Sequence, residues 1–199
     1  MNDLSIYDSV RDFMRPGDMI AFSGRGFVSN SIRFLTGSPV SHVGAIFERQ
    51  DGAGRRVILA ESTSLDGRSG VQFNPLSARL EEYPGSAWWL PLKEQVRTAA
   101  DFSAMRAFLE STAGQPYDFR GIAAFLARPV PGLGLLLHHG AVRAWFCSEL
   151  ITAGYEKAGI LHGLEPDHIA PKGLCRCSIF EKLVQLIGPP RLIPGFNEL

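Results

Sequence analysis

Residues 41–62 read SHVGAIFERQDGAGRRVILAES. Two strand-like apolar runs, 41–47 and 56–60, flank a polar connection in which Asp51-Gly52 suits a hairpin turn. Alternation along the first run sets His42, Gly44 and Ile46 on one face and Val43, Ala45 and Phe47 on the other. Antiparallel pairing about that turn carries Glu61, at the end of VILAE, close across from His42. An imidazole among apolar strand positions needs a polar partner, and Glu61 can serve as one. Taken one at a time, the bland readings are a hydrogen-bonded structural histidine and a strand-end carboxylate facing water.

Working outward, residues 4–14 carry Leu4, Tyr7, Val10 and Met14 near helical spacing, and Pro16-Gly17-Asp18 leads into a strand, MIAFS. A short helix fits 28–35. Val71 to Phe73 and Trp88 to Leu92 read as further strands, and Pro91 argues that the latter lies at a sheet edge. The second half turns helical. A stripe of Phe102, Met105, Phe108 and Leu109 predicts one helix over 98–113. Asp118 can cap a helix running to Ala127. A helix over 148–157 stops at Gly159, with Cys147, Leu150, Ile151, Gly154 and Ala158 inward, and a last helix is expected near 178–186. Strands first and helices later predict an α+β fold in one domain, 1–199.

The 199 residues are 45% hydrophobic and 20% charged, enough apolar material for a core and against intrinsic disorder. Twenty basic and twenty acidic residues leave a formal net charge of +0, with no electrostatic footprint for nucleic acid or an anionic membrane at the level of the whole chain. Three cysteines do not make a disulfide framework. The first residues, MNDLSIYDSVRDFMRPGD, lack the apolar core of a secretory signal, and PVPGLGLLLHHGAV (129–142) is too short to span a bilayer. The expectation is a soluble cytoplasmic protein.

Cys147 is the candidate nucleophile. It stands in WFCSELI at the predicted start of a helix, where the dipole favours negative charge, and hence a thiolate. The outward amides of that turn could also hold an oxyanion. The alternative is a small buried hydrophobe. A cysteine at a helix start, with a histidine and a carboxylate on a hairpin, is the set that a cysteine hydrolase needs.

The pieces PGDMIAF, TGSPVSHVGAIF, VILAEST, GQPYDF and WFCSELI, in that order, resemble the circularly permuted branch of the NlpC-type papain-like cysteine peptidases. This is the YiiX-like group, related to the lecithin–retinol acyltransferase group. The likeness spans about residues 16–180, with the histidine strand ahead of the nucleophile, as in the permuted order. It implies a papain-like α+β fold, a small antiparallel sheet packed against helices, with the nucleophile at a helix N-terminus. It implies Cys147 as nucleophile, His42 as general base and Glu61 as the polar third residue. Tyr117, in GQPYDF, is similar to a tyrosine near the thiol that orients substrate or assists the oxyanion, though it also reads as an aromatic capping the core. Ser148 would lend its backbone N–H to the oxyanion hole.

The implied chemistry is acyl transfer through a thioester on a peptide, amide or acylated small molecule, with no cofactor. Two rivals stand beside it: a lipid-directed acyltransferase or phospholipase A-type enzyme on the same triad, and a catalytically silent binding member of the fold. Cys175-Arg-Cys177, with His162 and His168 upstream, has the wrong spacing for a zinc knuckle, and no metal is expected. As strand residues, Cys175 and Cys177 would point the same way. The apolar loop ending in His138-His139 could act as a lid over the thiol.

Overall fold

The computed structural model describes residues 1–50, 56–65, 67–118, 144–163 and 169–199. Among these, six strands form one antiparallel sheet: β1 Met19–Ser23, β2 His42–Gln50, β3 Arg56–Leu65, β4 Arg68–Pro75, β5 Ser86–Leu90 and β6 Val184–Ile187. Their spatial order is β4-β3-β2-β1-β5-β6. Helices cover both faces: α1 Ser5–Val10, extended by a 3₁₀ turn over Arg11–Phe13, α2 Phe27–Thr36, α3 Leu76–Glu81, α4 Glu94–Ala99, α5 Phe102–Ser111, α6 Cys147–Lys157 and α7 Pro171–Arg176. The fold is α+β, consistent with a small papain-like fold.

Each sheet face buries its own layer. On one, Ala21, Val43, Ala45, Ala60 and Trp88 pack against Met105 and Leu109 of α5 and Leu150 and Ile151 of α6. On the other, Ile20, Phe22, Ile46, Leu59 and Trp89 pack against Tyr7 of α1 and Leu76 and Leu80 of α3. The central strands β1 and β5 are buried along their whole length, which is why MIAF and AWWL read as continuous apolar runs rather than alternating ones. Burying one such side chain contributes about 1.5–3 kcal/mol. The alternation along β2 follows the same division: Val43 and Ala45 in the first layer, Ile46 in the second.

Asp18 ties the start of β1 to its neighbours. Its buried carboxylate accepts from Trp89 Nε1 at 3.0 Å and from the Leu92 amide at 3.1 Å, and pairs with Arg97 of α4. The Tyr155 hydroxyl of α6 donates to the Gly17 carbonyl at 2.8 Å, fixing the helix against the entry to β1. Gly17 takes a left-handed φ of +87°, and a Cβ there would meet the Phe102 ring at 2.3 Å.

Four sequence expectations are corrected. β5 is not an edge strand: it lies between β1 and β6, and Pro91 sits one residue beyond its end, where no ladder N–H is required. The single helix expected over 98–113 is two. The chain breaks at Asp101, whose carboxylate caps α5 by accepting from the Ser103 and Ala104 amides, each at 3.0 Å. The segment near 178–186 is not helical. It runs into β6, which pairs with β5, so the sheet's need for a partner overrides a weak helical pattern. Cys175 and Cys177 lie in and at the end of α7, not in a strand. The Asp51-Gly52 turn, the helix expected after Asp118, the 129–142 loop with His138-His139, and His168 lie outside the described residues. Among the described residues no helix is long and apolar enough to cross a membrane.

Candidate active site

His42 opens β2 opposite Phe22 of β1, and the two rings lie 5.5 Å apart. The β2–β3 register pairs Ala45 with Ala60, so its continuation sets Glu61 opposite Gly44, diagonal to His42 on one face. Gly44 has no side chain to block the diagonal. His42 Nε2 and Glu61 Oε2 lie 2.6 Å apart. Glu61 is fully buried, and its second oxygen, Oε1, accepts from Asn74 Nδ2 at 3.0 Å and from Arg79 Nε at 2.9 Å. Arg79 reaches in from α3 with its guanidinium carbon 5.2 Å from the centre of the Phe22 ring and 5.0 Å from that of Tyr83.

The imidazole's other titratable neighbour is Cys147, whose influence raises its proton affinity. Cys147 is buried at the first position of α6. The chain reaches it through Trp145, which is held on three sides. Ser62 Oγ of β3 donates to the Trp145 carbonyl at 2.6 Å, Trp145 Nε1 donates to Gln115 Oε1 at 2.6 Å, and Trp145 N donates to the Pro116 carbonyl at 3.0 Å. At the helix start Glu149 Oε2 accepts from the Phe146 amide at 3.0 Å. The amides of Cys147 and Ser148 are first-turn positions with no intrahelical acceptor, so they point out of the helix toward the thiol's surroundings.

The charges follow from this wiring. Burial works against a charged imidazole, but the charge and hydrogen bond of Cys147, and then those of Glu61, outweigh it and raise His42 to about 9. Burial likewise works against the Glu61 carboxylate. The hydrogen bond and charge of His42, with the charge and hydrogen bond of Arg79, lower it to about 2. The histidine and the carboxylate thus each favour the other's charged form. Burial pushes the Tyr117 hydroxyl well up, and the charge of Cys147 adds to it, so this phenol keeps its proton.

The structure pairs His42 with Glu61 and sets Cys147 near enough to shift the histidine's proton affinity. Tyr117 forms a parallel bridge with Trp145, two residues before the thiol. The Ser148 side chain turns away, with its hydroxyl donating to the Ile169 carbonyl. Asn74 and Arg79 were not found from sequence. Asn74 could have been: the β3–β4 ladder pairs Leu59 with Asn74, so it shares a face with Glu61. Arg79 had no signal, because only the docking of α3 carries it to the sheet. The remaining thiols are different. Burial pushes both Cys175 and Cys177 up, and neither is disulfide-bonded. Among the described residues no three His, Cys, Asp or Glu side chains converge to hold a metal ion.

No protein-family model matches the chain. It is 27% identical over 178 residues to a protein of Escherichia coli strain K12 described as probable lipoprotein peptidase YaeF. The alignment covers 78% of this chain and 60% of the relative, so the chain spans less than two thirds of that protein's length. The crystal structure of the metalloprotein YiiX from Escherichia coli O157:H7 superposes with a TM-score of 0.50 at 19% identity. That match covers 73% of this chain and 66% of the other, and it is a likeness of fold. The chain is thus similar in sequence to YaeF and in fold to YiiX.

Proposed function

We propose that this protein is a cysteine hydrolase of the permuted NlpC-type papain-like kind, cleaving an amide or ester bond through a thioester on Cys147. The observation that carries the reading is the buried His42–Glu61 pair at 2.6 Å, with Cys147 at the head of α6 as the neighbour that raises the proton affinity of His42.

In this reading the Cys147 proton resides on His42, and the thiolate attacks the substrate carbonyl. Negative charge moves to the carbonyl oxygen, where the amides of Cys147 and Ser148 at the head of α6 receive it. His42 then gives its proton to the leaving amine or alcohol as the C–N or C–O bond breaks, leaving an acyl thioester. Water enters, His42 takes one of its protons, and hydroxide attacks the thioester. The acid departs and the thiolate is restored. Glu61 stays ionised throughout, orienting the ring through Nε2 and stabilising the imidazolium. Asn74 and Arg79 hold Glu61, and Tyr117 borders the thiol as a neutral phenol that can donate to substrate. The relative described as a probable lipoprotein peptidase makes peptides, lipidated and unlipidated, the first substrates to try.

The test is to trap the intermediate. Purified protein is incubated with lipidated and unlipidated peptides and quenched in acid, and Cys147-containing fragments are weighed by mass spectrometry. A hydroxylamine-sensitive acyl adduct on Cys147, absent from Cys147→Ala and accumulating in slow variants, is the expected result. Turnover that persists in Cys147→Ala would sink the reading.

A further inference from the structure

Helix α2 turns its apolar stripe outward. Phe27, Asn30, Ser31, Phe34 and Leu35 follow helical spacing and line one open groove. Phe27 is 82% exposed and Phe34 86%, whereas the opposite side buries only Ile32 completely. Leu192, 82% exposed, shares a second groove with Phe34, Arg33 and Arg191. A folded chain does not ordinarily leave three large side chains bare in one neighbourhood.

The charged residues that line these grooves are all arginines. Residues 19–47 and 183–197 contain no aspartate or glutamate, and they contribute Arg25, Arg33 and Arg191. These three arginines line a cavity of about 120 Å³ together with the buried Ser23 and Ser86. Lys172 reaches over from α7 to donate to the Thr36 carbonyl at the end of α2. Arg33 is held in place by donating to the Gly24 carbonyl at 3.0 Å. Guanidinium groups with hydroxyls in a small concavity suit a tetrahedral oxyanion. Bare aromatics ringed by cations suit the boundary between lipid headgroups and acyl chains. A second copy of the chain is a poor occupant, because two-fold pairing would press the arginines of one face against those of the other.

We infer that the face built by α2 and the segment 189–194 docks on an anionic phospholipid surface. Phe27, Phe34 and Leu192 enter the headgroup–acyl boundary, and the arginine cavity takes a lipid phosphate. The inference uses neither Cys147 nor its chemistry, so it stands or falls separately from the hydrolase reading. The same face lies at the end of the sheet where His42 begins: Ser23 follows Phe22, which pairs with His42. A docked bilayer would therefore border the thiol centre.

The experiment is co-sedimentation of the full chain with phosphatidylcholine vesicles, with and without phosphatidylglycerol, across a salt series. Binding to the anionic vesicles alone, weakening with salt, is expected. Phe27→Ser with Phe34→Ser, and separately Arg25→Glu with Arg191→Glu, should each lower partitioning about tenfold or more. These side chains are exposed, and Arg191 bonds Trp88 through its backbone carbonyl, so melting by circular dichroism should match the parent. Equal binding to neutral vesicles, no binding, or variants that bind like the parent would overturn the inference. So would a dimer in light scattering that the phenylalanine variants dissolve, since a second copy would then cover the face. Inorganic phosphate that binds the cavity of a protein showing no partitioning to anionic vesicles would assign the cavity to a soluble anion instead, and would also overturn it.

Discussion

His42 Nε2 and Glu61 Oε2 lie 2.6 Å apart, and Glu61 spends its other oxygen on Asn74 and Arg79. The imidazole is thus oriented by a carboxylate that is itself locked from the far side. That arrangement leaves the second ring nitrogen outside the Glu61 contact, with Cys147 as the neighbour that raises the imidazole's proton affinity.

Glu61→Gln removes a charge from beside the imidazolium while keeping the shape. The His42 titration, followed by NMR of its ring protons, should then fall from about 9 toward the ordinary 6.5. Cys147→Ala should lower it as well, because the larger upward push comes from the thiol side. A midpoint unmoved in both variants would dissolve the three-residue site.

Thiol reactivity should separate the three cysteines. Iodoacetamide is expected to label Cys147 at neutral pH, while Cys175, whose thiol burial pushes far up, stays inert. Mapping by mass spectrometry checks this. In His42→Ala the neutral-pH labelling of Cys147 should drop at least tenfold, since the imidazole that accepts its proton is gone. Preferential labelling of Cys175 would point away from Cys147 as the nucleophile.

Stability should carry the signature of both shifted groups. Glu61 titrates lower in the folded state, so its contribution is present above 4.5 and lost as pH falls through about 2. His42 titrates higher when folded, so its contribution is complete below 6.5 and lost as pH rises through about 9. From these two groups, the melting temperature should be highest between about 4.5 and 6.5 and decline on both sides. Glu61→Gln should flatten the acid limb. Identical acid limbs in parent and variant would contradict the assignment.

Arg79→Met keeps much of the side-chain volume but leaves the buried Glu61 without its cation. Breaking a buried pair from one side costs about 3 kcal/mol, which urea unfolding can read. Arg79→Lys should recover little, because lysine lacks the planar fork that donates to Glu61 while lying over Phe22 and Tyr83. Full stability in Arg79→Met would mean that Asn74 and His42 suffice to hold Glu61.

Much of the scaffold was legible from local pattern. MIAFS is β1, residue for residue, because a strand buried on both faces must be apolar throughout. The α6 helix was legible from its inward stripe and from Gly159, which ends it with a φ of +70°. The misread elements are those decided by a partner. Local pattern favours a helix near 178–186, but β5 has a free edge and takes 184–187 as a strand. The stripe over 98–113 is continuous and predicts one unbroken helix, yet the Asp101 cap restarts it.

By itself, the sequence determined the strand pair 41–47 and 56–62, the identity of the polar groups placed on it, and the position of a cysteine at the head of a helix. These are local properties, set by alternation, turn chemistry and capping. Only the tertiary structure decided that α6 docks where its first residue meets His42. It alone brought Arg79 from α3 and Asn74 from β4 to close around Glu61. The reason is physical: a buried charge is tolerated only where several distant segments meet to satisfy it, and such a meeting leaves no trace in the spacing of any one of them.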